Sequence, residues 1–362
     1  VDALALPAAF TALGAAHGPL IVIQQQGGSG SGTNSAGSNA GENGWAFAGY
    51  RGPSNTGYSA VYDAGLGRNL QQSDLALYTG PNAFSGTYFR QHIILSNVSL
   101  VGDTTFNQCL IEAPAGSASK TGHYLFGGPY ALTLTDTEVN GNGKSGGDVS
   151  PYPSGYGYEA MNNLAGGSQL ASIHILRSNL YGSVDIIRQS HGYIGYSWIH
   201  GNVHYYTAAG VSTHSDHVQF DGGGSNWTCE YSTLGTPKSV AAAAGTDWAQ
   251  YEPIWNCGFI QLSTASTGQT LSNLTMRSCY ANDGNYAIQG GPNGTGTWYA
   301  SFSNVLFTGN RCGPNHRYGA LNGGMRTAAS DGSTMTFDGT NVYDDTFTAY
   351  WGKTYSKDQV FG

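Results

Sequence analysis

Six of the chain's ten histidines, His174, His191, His200, His204, His214 and His217, fall within 44 residues. Imidazoles hydrogen-bond hydroxyls, move protons near neutral pH and ligate metals, so the cluster is a candidate glycan-contact, acid–base or metal site. No HxH or HExxH spacing fixes two of them on one face, so no metal and no cofactor is expected. Histidines that close turns singly, on different sides, fit the same spacing. A second set is Glu159, Asp185 and Arg188. Carboxylates about 5 Å apart serve a retaining glycosidase, and an arginine beside an acid serves a lyase as the cation next to an abstracted proton. Stacked strand on strand, Glu159 falls beside Asp185 and Arg188 beside Asp221, which equally describes an ion-pair ladder. A slip of one residue would bury the pair. The third set is aromatic: Tyr152, Tyr156, Tyr158, Tyr193, Tyr196, Trp198, Tyr205 and Tyr206 surround the histidines. Sugar rings stack on exposed aromatic faces while neutral polar groups orient their hydroxyls. The candidate glycan contacts are therefore His191, Tyr196, Trp198, His200, His204, His214, Asp216, His217, Gln219 and Asp221.

What positions these groups is read from composition and pattern. The 362 residues include 55 Gly, 24 Tyr and 7 Trp but only 14 basic and 22 acidic side chains, about half the usual charged share. A net charge of −8 with so few cations argues against nucleic acid, whose binding needs clustered Lys and Arg. No apolar run approaches the roughly 18 residues that span a bilayer. The first residues lack the basic region of a secretory signal. The five cysteines form no CxxC pair and are expected to be reduced, buried small hydrophobes. The four Asn-x-Ser/Thr sequons are about the number chance supplies.

Three zones follow. Residues 1–26 hold an Ala/Leu-rich stretch, Ala3 to His17, expected to form a short helix, then a strand over Leu20 to Ile23. Residues 27–44, GGSGSGTNSAGSNAGENG, read as a flexible arm. Residues 45–362 are short alternating apolar runs punctuated by turns, an all-β zone. That zone repeats a template of apolar, x, apolar, x, x, small, x, apolar, x, Gly or Asp. Copies begin at Ile93, Leu132, Ile173, Ala300 and Met335, with imperfect ones at Gly192 and Trp227. A second strand class alternates with it, starting at Tyr124, Glu159, Asp185, Val218, Ile260, Ala287 and Ala320. Two strand classes in alternation, with loops of unequal length, describe the coils of a parallel β-helix.

The segment Tyr50-Arg-Gly-Pro-Ser-Asn-Thr-Gly57 resembles the Pro-x-x-Asn-Thr-Gly opening of right-handed parallel β-helix proteins of actinobacteria and of the minor tail proteins of their phages. Ser197-Trp-Ile-His200 and His214-Ser-Asp216-His-Val-Gln219-Phe-Asp-Gly-Gly223 are similar to that group's S-x-I-H and H-[ST]-D-x-[IV]-Q-x-x-G-G patterns. His217 stands where the group more often has glycine. The resemblance covers roughly residues 46 to 345 and implies an all-β, right-handed, single-stranded parallel β-helix related in shape to pectate-lyase-like solenoids and tailspikes. It also implies lyases, hydrolases or non-catalytic adhesins.

The expectation is a structural or adhesive phage tail protein: residues 1–26 attach or trimerise, 27–44 link, and 45–362 face a host cell-surface polysaccharide. Its partners are then other tail proteins and two sibling chains, its place the virion, and it takes no nucleic acid and no membrane span. The rival is a secreted polysaccharide lyase or glycoside hydrolase on the same solenoid, and a non-viral fibre protein shares the architecture. Retention of an apolar N-terminal segment and arm, which a mature secreted enzyme would rarely keep, favours the particle.

Overall fold

The computed structural model describes residues 51–52, 54–114, 125–142, 165–166, 170–183, 185–189, 191–202, 216–219, 225–235, 260–262, 269–282, 286–290, 300–314, 316, 319–321, 335–348 and 352–361. The expected helix, strand and arm of residues 1–44 lie outside them. Among the described residues, helix is confined to two 3-10 turns, Tyr58–Ala60 and Gln72–Asp74. Everything else regular is strand, and the chain is all-β.

Three long parallel sheets carry the structure. Sheet A runs through Ala83–Phe89, Val98–Asn107, Ala131–Thr135, Ser172–Leu176, Gly192–Gly195, Ser225–Glu230, Gln269–Arg277, Ala300–Thr308 and Met335–Phe337. Sheet B runs through Ala76–Leu77, Gln91–Ile94, Leu110–Glu112, Glu138–Asn140, Asn179–Tyr181, Trp198–His200, Thr233–Leu234, Tyr280–Ala281, Arg311–Cys312 and Val342–Tyr343. Sheet C holds Ala165–Gly166, Ile187–Arg188, Val218–Gln219, Ile260–Leu262, Tyr286–Gly290 and Gly319–Leu321. From Ala165 onward the chain takes the sheets in rotation, one strand of each per level, so each strand pairs with its counterpart one level on. The inward residues meet in one core: Leu132, Leu134, Ile173, Ile175, Val139, Leu180, Ile199, Ile187 and Val218 all belong to a single apolar cluster.

Copies of the template at Leu132, Ile173, Gly192 and Trp227 fall in register. The two imperfect ones explain each other. A Cβ on Gly192 would lie 3.0 Å from the Trp227 indole and 2.8 Å from Ile173 Cγ1, so the missing side chain is the space the buried indole needs. Other copies are corrected. Leu132 pairs with Thr104, not with a residue of the expected Ile93 copy. Thr104 fills an apolar slot because its hydroxyl donates to Phe84 O at 3.1 Å and Gly102 O at 2.8 Å. Leu274, absent from the expected copies, pairs with Trp227, and Val305 rather than Ala300 pairs with Leu274. Long strands here begin upstream of the template, so alternation alone gives a false phase. After Phe337 one extra residue puts Tyr343, not Val342, in the core.

The corner between sheets A and B explains the small position. Gln108, Asp136, Arg177, Tyr196, Tyr231 and Ser278 adopt φ between 47 and 55° there, a left-handed bend that turns the next N–H out of the sheet ladder and into the interior. A small polar side chain accepts it. Thr137 N–H donates to Ser178 Oγ at 3.2 Å, Ser178 N–H to Ser197 Oγ at 3.1 Å, and Ser197 N–H to Ser232 Oγ at 3.0 Å. Asn310 and Asn341 continue the column with amide oxygens, at 3.0 Å from Cys279 N and 3.2 Å from Asn310 N.

Both ends of the described chain return onto sheet B. Arg51 N–H donates to Thr233 Oγ1 at 2.7 Å and Gly57 N–H to Arg177 O at 2.9 Å, and Tyr58 packs with Leu70, Leu75 and Leu110. Residues 51–52 and 54–58 are thus a strap across several levels of the sheet's outer face. At the other end, Tyr343 N–H donates to Gln359 O at 3.0 Å and Phe361 N–H to Asn341 O at 3.0 Å. This antiparallel return closes the sheet edge that would otherwise template further strands. Cys109, Cys229, Cys279 and Cys312 are buried free thiols, with Cys229 and Cys279 sulfurs 3.6 Å apart. Burial pushes the Cys109 thiol up to about 11. These four are expected to resist an aromatic disulfide reagent in native protein and to titrate only after denaturation. Rapid native reaction would contradict their burial.

Candidate functional site

Of the expected site residues, Glu159, His204, His214 and Asp221 lie outside the described residues. The register around the others differs from the expected stacking. Ile187 pairs with Val218, so Arg188 stands opposite Gln219 rather than Asp221, and the strand on the other side is Ala165–Gly166, not one starting at Glu159. Apolar residue on apolar residue decides the alignment. The shift opposite Val218 is two residues, so the facing of each side chain is kept. Asp185 is buried, and its Oδ1 accepts the Asp216 N–H at 3.1 Å. It holds together the corner between sheets B and C.

The histidines divide among corners. His217 is 1% exposed, and among the described residues neither ring nitrogen has a hydrogen-bond partner. Burial holds its pKa at about 3. Burial, then the nearby His217, pushes His200 well below the ordinary histidine range. His200 Nε2 meets Asn179 Oδ1 at 2.9 Å, and its ring stacks on Trp198 at 3.4 Å and on Tyr181 at 5.1 Å. Both imidazoles are therefore neutral at neutral pH and fixed by packing. His191 is exposed at the corner leading into sheet A, its Nδ1 3.0 Å from Ser225 Oγ. Tyr196 sits on the opposite corner, between sheets A and B. Trp198 is buried, donating Nε1–H to Gly235 O at 2.9 Å, and Asp216 is buried as well. The structure thus brings Asp185 to Asp216 and His200 to Trp198 and His217. It sends His191 and Tyr196 to other sides. Trp198, Asp216 and His217 are all buried. Among the described residues, no group of three His, Cys, Asp or Glu could hold a metal ion.

Three groupings escaped sequence reasoning. On the A–B corner the left-handed residues pair along the axis: Arg90 Nε–H donates to Gln108 Oε1 at 2.9 Å, and Arg177 grips Asp136 through two bonds of 2.7 Å. Tyr196 stacks on Tyr231 at 5.0 Å, with the Arg51 guanidinium 5.1 Å from the Tyr196 ring. On the outer face of sheet A, Tyr193 donates its hydroxyl to Glu230 Oε1 at 2.7 Å, and Glu230 is ion-paired to Arg277. On the outer face of sheet B, His92 Nε2 lies 2.8 Å from Glu112 Oε2, and Tyr181 donates to Glu138 Oε1 at 2.6 Å. Burial raises the Glu138 pKa, the Tyr181 hydrogen bond opposes it, and the Glu112 charge adds to the rise. The one sequence signal for any of these is Tyr193-x-Gly195, two outward positions of one strand with no side chain on the second.

Comparison with family models, with curated proteins and with solved structures gives no match.

Proposed function

We propose that the chain is a right-handed, single-stranded parallel β-helix of the kind found in phage minor tail proteins and tailspikes, serving as a structural and adhesive protein that faces host cell-surface glycans. The observation that supports this reading is the rotation of the chain through three parallel sheets from Ala165 onward, which is compatible with the architecture that the Pro-Ser-Asn-Thr-Gly57 and His-Ser-Asp216 segments imply by resemblance. A rod of stacked coils holds a long outer surface in one geometry. Few charges and many tyrosines suit that surface to sugars. In this reading residues 1–26 attach the chain to a particle and to two siblings through the 27–44 arm, and its place is the virion tail.

One observation favours the rival hydrolase or lyase reading. Glu112 and Glu138 lie on adjacent strands of sheet B in different surroundings, one held by His92 and the other raised by burial. A carboxyl raised by burial with a second carboxylate on the next strand is the raw material of an acid–base pair. The two readings separate in one assay. The full chain, incubated with a panel of bacterial cell-surface polysaccharides, is expected to bind without releasing reducing ends or unsaturated uronates. Cleavage that disappears in Glu138→Gln or Asp185→Asn would move the assignment to an enzyme. Sedimentation of the full chain is expected to show three chain masses, and a monomer would remove the trimer.

A further inference from the structure

We infer that the outer face of sheet A around Tyr193 is a platform for an uncharged polysaccharide lying along the stack of strands, an inference that rests on the glycan-facing reading above. The first observation is the attitude of the ring. A Cβ on Gly195 would sit 2.1 Å from the Tyr193 hydroxyl oxygen and 2.5 Å from Cζ. Glycine at 195 therefore lets the phenol lie down along its own strand instead of standing off it. The tip is tied to Glu230 Oε1 at 2.7 Å, and His174 meets the ring edge-on at 4.7 Å. A ring laid on its own backbone and pinned at its hydroxyl has its other face directed away from the sheet. That is the geometry on which the apolar face of a pyranose stacks.

The second observation is the row to which the ring belongs. Thr105, Thr133, His174, Tyr193, Thr228 and Thr275 are successive Cα partners across six strands. They alternate with the buried positions of those strands, at the inter-strand spacing of about 4.8 Å. Hydroxyls and an imidazole thus flank the aromatic ring along the axis. A linear sugar polymer lying on the row would meet a hydrogen-bonding side chain at each level.

The third observation is charge. The charged groups tied to the ring are Glu230, bonded to its hydroxyl, and Arg277, ion-paired to Glu230, so the two cancel. Burial lowers the His174 pKa, leaving that imidazole neutral. An anionic sugar gains no unpaired cation from Arg277, and a neutral one leaves no charge uncompensated.

The test is binding of the full chain to a printed array of neutral hexose oligosaccharides beside uronate-containing ones, with folding checked by circular dichroism. Wild type is expected to bind neutral members. Tyr193→Ala, and Gly195→Ala, which keeps the ring but drives it off the strand, should each weaken binding about tenfold or more. Tyr193→Phe should recover most of it. Where either alanine variant fails to fold, Thr228→Val combined with Thr275→Val reads the same row and should also lose about tenfold. Binding retained within about twofold in the folded variants, or confined to uronate glycans, would overturn the platform and leave the glycan-facing reading standing. A wild type that binds nothing on the array would overturn both.

Discussion

Thermal stability is expected to fall steeply as pH is lowered from about 6.5 to 4.5, with little change between pH 7 and 8. The cause is two interior imidazoles. Burial holds both His217 and His316 at about 3; His316 Nε2 lies 2.9 Å from Cys312 Sγ, and its Nδ1 has no partner among the described residues. In the unfolded chain both return to about 6.5. A depressed histidine pKa means that the unfolded state binds the proton first. Stability is complete above the unfolded value and is lost as pH falls towards the folded one. At pH 4.5 each histidine contributes a loss of about 3 kcal/mol, and the pair about 5. His200, pushed the same way, adds to it. Carboxylates held low by ion pairs or hydrogen bonds, such as Asp63 and Asp338, protonate at lower pH, while Glu138, raised by burial, takes its proton first in the folded chain and offsets part of the loss. His217→Leu with His316→Leu should flatten the melting temperature over pH 4.5 to 6.5. A double variant as acid-sensitive as wild type would refute the assignment.

Asn310→Ala is expected to cost about 3 kcal/mol or more, read as a lower urea midpoint at unchanged slope. The side chain is fully buried in the corner column. Its Nδ2 donates to Met276 O at 3.0 Å and Asn341 Oδ1 at 2.8 Å, and its Oδ1 takes the Cys279 N–H at 3.0 Å. Alanine leaves Cys279 N–H and Met276 O unpaired in the interior, each costing about 1–3 kcal/mol. Breaking the half-exposed Asp136–Arg177 pair one column outward should cost about 0–1 kcal/mol. Similar costs for the two would mean that the inner column does not hold the corner.

These contrasts show where the sequence was readable. Leu132 and Ile173 could be aligned because ordinary residues fill their core, small and turn slots. Thr104 and the Cys279–Ala281 stretch could not, since a threonine satisfied by backbone carbonyls and a cysteine in the small slot do not look like core. Side-chain direction was legible along strands, where the period is two. It was illegible at corners, and for that reason buried His217 and Asp216 read as surface groups. Tyr193 was visible among the aromatics, yet only Gly195 beneath it shows how the ring lies.

The central claim is that successive levels stack along one axis, and distances between spin labels on the outward row of sheet A test it most directly. Thr105 and Thr275 are five steps apart and Thr105 and Thr336 seven, through Leu306. At about 4.8 Å per step, labelled cysteines at these positions in the full chain should lie about 24 Å and about 34 Å apart. Distances that rise with the number of steps are the predicted result. A 105–336 separation equal to or shorter than 105–275 would contradict the stacked architecture and every surface assigned to it.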